Sequence, residues 1–197
     1  MSSARQDGQY RWTIYLEMDQ QDRSGRTGLT GPPDEKESAM PRITPNLWFD
    51  TQGLEAAEFY VSIFPNSEIR NISYYGEAGP GTPGTVLTVD FVLDGHSITA
   101  LNGGPVFTFT EAVSLGIDCA DQAEVDYYWD ALLAGGQESQ CGWLKDRFGF
   151  SWQVIPAGLD QALSDPDPER AGRAMKAMLG MKKLDLAAIR AAADATD

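Results

Sequence analysis

Residues 141–156 read CGWLKDRFGFSWQVIP, with apolar and polar residues alternating on both sides of a break at Phe148-Gly149. Two antiparallel strands joined by a glycine-assisted turn have this pattern. Alternation predicts a packed face carrying Trp143, Trp152, Val154 and Pro156, with Ser151 and Gln153 on the opposite side. An earlier segment, Asp94 to Leu101 (DGHSITAL), repeats the plan: a turn glycine, a serine two residues later and a polar residue at the fourth. Two copies of one small unit are therefore expected, with function in a cleft between strands of the two copies.

Working outward, each copy shows the same order of elements. In the first, 43–50 reads as a strand and Leu54 to Phe64 as a helix, with Leu54, Ala57, Phe59, Tyr60, Ile63 and Phe64 at helical spacing and Pro65-Asn66 as its stop. Strands follow over 67–76, 85–94 and 96–101, with a loop at 77–84. In the second copy, 112–120 reads as a strand, Gln122 to Leu133 as a helix closed by Gly135-Gly136, and a short strand from Gln137 leads to the opening hairpin. Phe59-Tyr60 corresponds to Tyr128-Trp129, and the step from Asp50 to Phe59 matches that from Cys119 to Tyr128. The units span about 43–104 and 112–156, within a domain at 41–160.

The flanks differ. Residues 1–40 have the composition of an unstructured extension, except that Trp12, Ile14, Leu16 and Met18 alternate as an edge strand over 10–18. Beyond Pro156 the chain reads as helical through 161–197, with Asp167-Pro168 and Asp185 as helix starts. A stripe of Met175, Met178 and Leu179 is either packing against the domain or a partner face.

Composition narrows the function classes. With 15 basic and 29 acidic side chains in 197 residues the net charge is -14, and Arg42 and Arg70 are the sole Lys or Arg between Pro41 and Gln140. Such a surface repels phosphate backbones and anionic headgroups, so neither nucleic acid nor membrane is an expected partner. No apolar run reaches the ~20 residues that cross a bilayer. With no secretory leader and two cysteines, Cys119 and Cys141, a cytoplasmic location is expected, with both as thiols.

The doubled strand-helix-three-strand unit is the plan of the vicinal oxygen chelate superfamily, which has the glyoxalase and bleomycin-resistance fold. The runs ITPNLWFD (43–50), EAAEFYVSIFPNS (55–67), ITALNGGP (98–105), QCGWLKDRFGFSWQVIP (140–156) and LSDPDPERAGRAMKAML (163–179) resemble the PhnB-like family, also labelled demethylubiquinone methyltransferase-like. The resemblance covers about 42–195 and implies an α+β fold of paired βαβββ units with C-terminal helices, a cleft for a small organic molecule, and a homodimer. Its chemistry stays open, since the superfamily includes lyases, isomerases, dioxygenases and binding proteins.

In metal-dependent relatives, His and Glu from inner strands hold a divalent ion. By resemblance those positions fall here on Gln153, on Thr99 or near Asn102, at 44–46 and at 113–114, where neutral side chains stand. No metal and no cofactor are therefore expected. His96, beside a turn, reads as an exposed polar residue. The six glycine and proline-rich residues 79–84 (GPGTPG) have nucleotide-loop spacing but precede a strand, which argues against a methyl-donor site. Lys145-Asp146-Arg147 reads either as an anion anchor or as a solvated turn, and Glu111, Asp118 and Glu138 as either bases or surface acids. The candidate ligand-binding residues are Asn46, Trp48, Asn102, Ser114, Trp143 and Gln153: amides and a hydroxyl for orientation, tryptophans for an apolar wall. The expected function is metal-free binding of a small organic molecule, the alternative an enzyme of the superfamily.

Overall fold

A computed structural model describes residues 43–195; the expected extension at 1–40 and its strand at 10–18 lie outside this range. Strand β1 (Asn46–Phe49), helix α1 (Gly53–Ile63) and strands β2 (Glu68–Tyr74), β3 (Val86–Leu93) and β4 (His96–Asn102) make the first unit. Strand β5 (Ser114–Cys119), helix α2 (Gln122–Leu133) and strands β6 (Gln137–Glu138), β7 (Trp143–Lys145) and β8 (Ser151–Pro156) make the second. The sheet orders, β1-β4-β3-β2 and β5-β8-β7-β6, are the same. In each, the first and last strands pair in parallel and the others antiparallel. The expected α+β doubling is present.

The ladders refine the correspondence. The parallel pairing ends at Phe49–Asn102 in one sheet and at Cys119–Pro156 in the other. Asn102 and Pro156 stand at the same step beyond their turn glycines, Gly95 and Gly149, so Phe49, and not Asp50, is the counterpart of Cys119. The helices nonetheless align Tyr60 with Trp129 and Ile63 with Leu132, and one residue of difference is absorbed in the strand-to-helix turn.

Alternation sets what each strand buries. Leu47, Phe49, Val89, Phe91, Ile98 and Ala100 of the first sheet share one core with Trp129 of α2 and with Leu144, Trp152 and Val154 of the second sheet. Helices supply the join: Tyr60 of α1 meets Trp152 with ring centroids 5.3 Å apart, and Phe64 stacks between Tyr128 and Trp152 at 5.2 and 5.4 Å. Aromatic pairs of this kind contribute roughly 0.5–1.5 kcal/mol each beyond their burial. The two units thus share one interior.

Helices α3 (Leu159–Leu163), α4 (Pro168–Leu179) and α5 (Leu186–Asp194) close a second cluster around Ala174, Leu184 and Ile189. Asp167 and Asp185 cap α4 and α5 as expected, accepting from Glu169 N and Ala188 N. Arg173 donates twice to the carbonyl of Ala193, tying α4 to the end of α5. Met178 packs into this cluster, while Met175 and Leu179 remain exposed. The Gln122 amide holds the segment to α2, donating to Leu184 O and accepting from Leu186 N.

The loop Tyr75–Thr85 runs between β2 and β3. It is closed by Tyr75 N donating to Thr85 O and Gly84 N donating to Tyr75 O.

Candidate functional site

Each sheet has a second face, opposite the shared core, and register places polar residues there. In the first sheet Asn46, Thr99 and Asp90 form one row across β1, β4 and β3. In the second, Gly116, Gln153 and Trp143 form the equivalent row. Thr99 Oγ1 donates to Asp90 Oδ1 at 2.6 Å, and Gln153 Nε2 donates to Ser114 Oγ at 2.8 Å. Two positions that correspond through the turn glycines thus each hold a neutral side chain hydrogen-bonded to a neighbouring strand.

The row also corrects the hairpin. Trp143 was expected beside Trp152 on the packed face, but its cross-strand partner is Gln153, whereas Leu144 pairs with Trp152. Alternation carries phase along a strand but not through the 146–150 loop, so Leu144 faces the core and Trp143 does not. Ser151, next along from Gln153, is buried, and its hydroxyl has no hydrogen-bond partner among the described residues.

Other expected site residues are placed differently. Asn46 is exposed. Asn102 is buried; its Oδ1 accepts from Gly53 N at 2.7 Å and its Nδ2 donates to Val86 O, so this amide fixes the start of α1. Trp48 Nε1 donates to Gly104 O at 2.9 Å, and the indole covers Gly103 so closely that a Cβ there would lie 2.2 Å from the ring. Its ring lines a cavity of about 540 Å³, together with Phe107, Phe109, Lys145, Arg147 and Phe148; the other five candidates do not line it.

Asp146 is not part of a solvated turn. The residue is 3% exposed and its carboxylate accepts four hydrogen bonds: from Phe148 N and Phe150 N at Oδ1, and from Tyr60 OH and Trp152 Nε1 at Oδ2. Burial, and then the neighbouring Asp146 charge, push the Tyr60 phenol well above its usual pKa. Charge-assisted bonds of this sort, roughly 1.5–3 kcal/mol each, hold a buried carboxylate that would otherwise be costly. Here the carboxylate joins the two units.

The acidic candidates have salt-bridge partners or stand in solvent. Glu111 contacts Lys145 at 2.6 Å, which holds its carboxyl below the usual range, and Glu138 contacts Lys182 at 2.7 Å. Asp118 is exposed, as is His96. Asp90, the carboxylate that faces the row, was missed by sequence reading. The signal was available: Asp90 alternates with buried Val89 and Phe91, placing it on the open face.

Amide and hydroxyl oxygens are weak ligands for zinc, nickel or iron. Gln153, Ser114, Thr99 and Asn46 therefore do not fit a transition-metal centre of the kind the superfamily uses. Among the described residues, no group of three or more His, Cys, Asp or Glu is arranged to hold a metal ion.

Paired βαβββ sheets with polar rows on the faces opposite the shared core define a fold of the vicinal oxygen chelate class, shared by glyoxalase and bleomycin-resistance proteins. A family model described as 3-demethylubiquinone-9 3-methyltransferase matches residues 41–155, more than half of the chain, and the chain belongs to this PhnB-like family. Among solved structures, a PhnB protein from Bacillus cereus is 36% identical with a TM-score of 0.55, covering 59% of this chain and 100% of its own. Protein PA1353 from Pseudomonas aeruginosa is 20% identical with a TM-score of 0.50, covering 59% of this chain and 98% of its own, a likeness of fold. Comparison with curated protein sequences returns no match. No helix of the described residues is long and apolar enough to cross a membrane.

Proposed function

We propose that this protein binds a small organic molecule on the inner sheet faces without a metal, in the cytoplasm and as a homodimer. The observation that carries the reading is the Gln153–Ser114 pair beside the orphaned, buried Ser151 hydroxyl. An unmet buried polar group costs roughly 1–3 kcal/mol, which a ligand atom at that position offsets. Gln153 and Ser114 offer a donor and acceptors for orientation, and Trp143, in the same row, offers an apolar surface. Exposed Val106 and Val113, in and beside the connection between units, support a second copy covering this region.

Asp90 favours a second reading, an enzyme of the superfamily in which this carboxylate accepts a proton from substrate. Methyl transfer has less support, because the 79–84 loop leads into strand β3 and not into a helix.

A thermal-shift screen followed by calorimetry on the best ligand tests the proposal. Gln153→Ala should weaken binding roughly tenfold while moving the melting temperature little; a collapse of folding would make Gln153 structural. Elemental analysis of protein purified without chelator should find no stoichiometric transition metal, and one ion per chain would overturn the metal-free reading. Titration with S-adenosylmethionine should be flat.

A further inference from the structure

The cavity beside Trp48 is assembled from four separate segments: the end of β1 with the turn after it, the connection 105–109, the α2–β6 turn, and the 145–149 part of the hairpin. Five of its lining residues are aromatic, Trp48, Phe49, Phe107, Phe109 and Phe148, with the Trp48 and Phe107 centroids 5.0 Å apart in an edge-on contact. It also gathers Lys145 and Arg147, in a chain whose net charge is -14. We infer that this cavity is a second binding site, for a flat aromatic molecule bearing a carboxylate or similar anion.

The cations are held in place by contacts that leave them able to act. Arg147 lies with Cζ 4.2 Å from the Phe59 ring centroid, and its Nε donates to Ala134 O at the end of α2. Its side chain is thereby oriented while the terminal N–H groups keep their bonding capacity. Lys145 meets Glu111, which is exposed, belongs to the connection between units and does not itself line the cavity, so the ammonium group already pairs with a carboxylate that a ligand anion would have to replace. An exposed ion pair of this type is weak and screened by solvent, so an incoming anion can displace it. The carboxylate of Asp146 in the cavity wall is saturated by its four donors, and Asp50 is exposed. The volume, about 540 Å³, suits a two-ring molecule.

This site is independent of the Gln153 row, and the experiment keeps them apart. Calorimetry with 2-naphthoate should show saturable one-to-one binding, with neutral 2-naphthamide at least tenfold weaker. Arg147→Met and Lys145→Met should each weaken naphthoate roughly tenfold, Glu111→Gln should strengthen it several-fold, and Gln153→Ala should leave it unchanged. Equal affinity for acid and amide, no effect of either cation variant, or no saturable naphthoate binding would overturn the inference. Loss of naphthoate binding in Gln153→Ala would instead place the probe on the sheet face and overturn it as well.

Discussion

Asp146 is the side chain on which the interior depends most. Asp146→Asn keeps the shape but leaves an oxygen for only one pair of donors, the two backbone amides or Tyr60 with Trp152, and sets an NH2 donor against the other pair, so a loss of about 3–5 kcal/mol is expected in urea denaturation. A loss below about 1 kcal/mol would show that the network is dispensable. Ionisation adds an alkaline limit. Burial, with Glu124 and Asp118 nearby, pushes the Cys119 thiol up to about 11 from 9.0, so between these values the unfolded chain releases a proton that the folded one keeps. Stability from this group is present below about pH 9 and is lost as pH rises toward 11. The raised Tyr60 phenol acts in the same direction from about pH 10 upward, the ordinary tyrosine value. The urea midpoint should therefore fall over this range, and fall less steeply in Cys119→Ala; identical profiles would rule the thiol out. Sequence reading missed Asp146 because Lys and Arg flank it. The better signal was local: an aspartate two residues before Phe148, in a loop with Gly149, is placed to accept from the backbone amides that follow.

Among the elements, the helices of the two paired units start differently. Helix α2 is capped by its own Asp121, whose Oδ1 accepts from Glu124 N, while α1 has no such side chain and borrows Asn102 from β4. Asp121→Ala should cost about 1 kcal/mol. Asn102→Ala, which leaves the buried Gly53 N–H without its acceptor, should cost about 1–3 kcal/mol, with denaturant unfolding as the measure. If Asn102→Ala were neutral, the amide would not be holding α1. Periodicity made both helices and strands β3, β4 and β8 legible, since each is long enough to repeat its pattern. The role of Asn102 was not legible, because a helix start supported from a distant strand leaves no mark in the helix's own sequence. Its adjacent glycines suggested a ligand contact where the fold uses a hydrogen bond to its own backbone. The face of Trp143 was hidden for a related reason: β7 has three residues, too few to establish a phase.

For the whole molecule, the doubled architecture was legible because turn glycines, helix aromatics and strand spacing recur together. The offset that moves the Cys119 counterpart from Asp50 to Phe49 was not, since it lies in an irregular turn where register leaves no periodic trace. The split of the candidate residues between two sheet faces, a helix start and a cavity is a property of three-dimensional packing. Native mass spectrometry should report twice the chain mass of 21.5 kDa. A monomer at micromolar concentration would remove the homodimer from the proposal.

The Tyr60–Asp146 bond has a further consequence. Each member comes from a different repeat, so gene fragments ending and beginning within the 103–113 connection would give polypeptides that each lack part of the other's filling. Expressed singly, they should be insoluble or molten; expressed together, they should reassemble, with complementation failing when the first fragment carries Tyr60→Phe and the second Asp146→Asn.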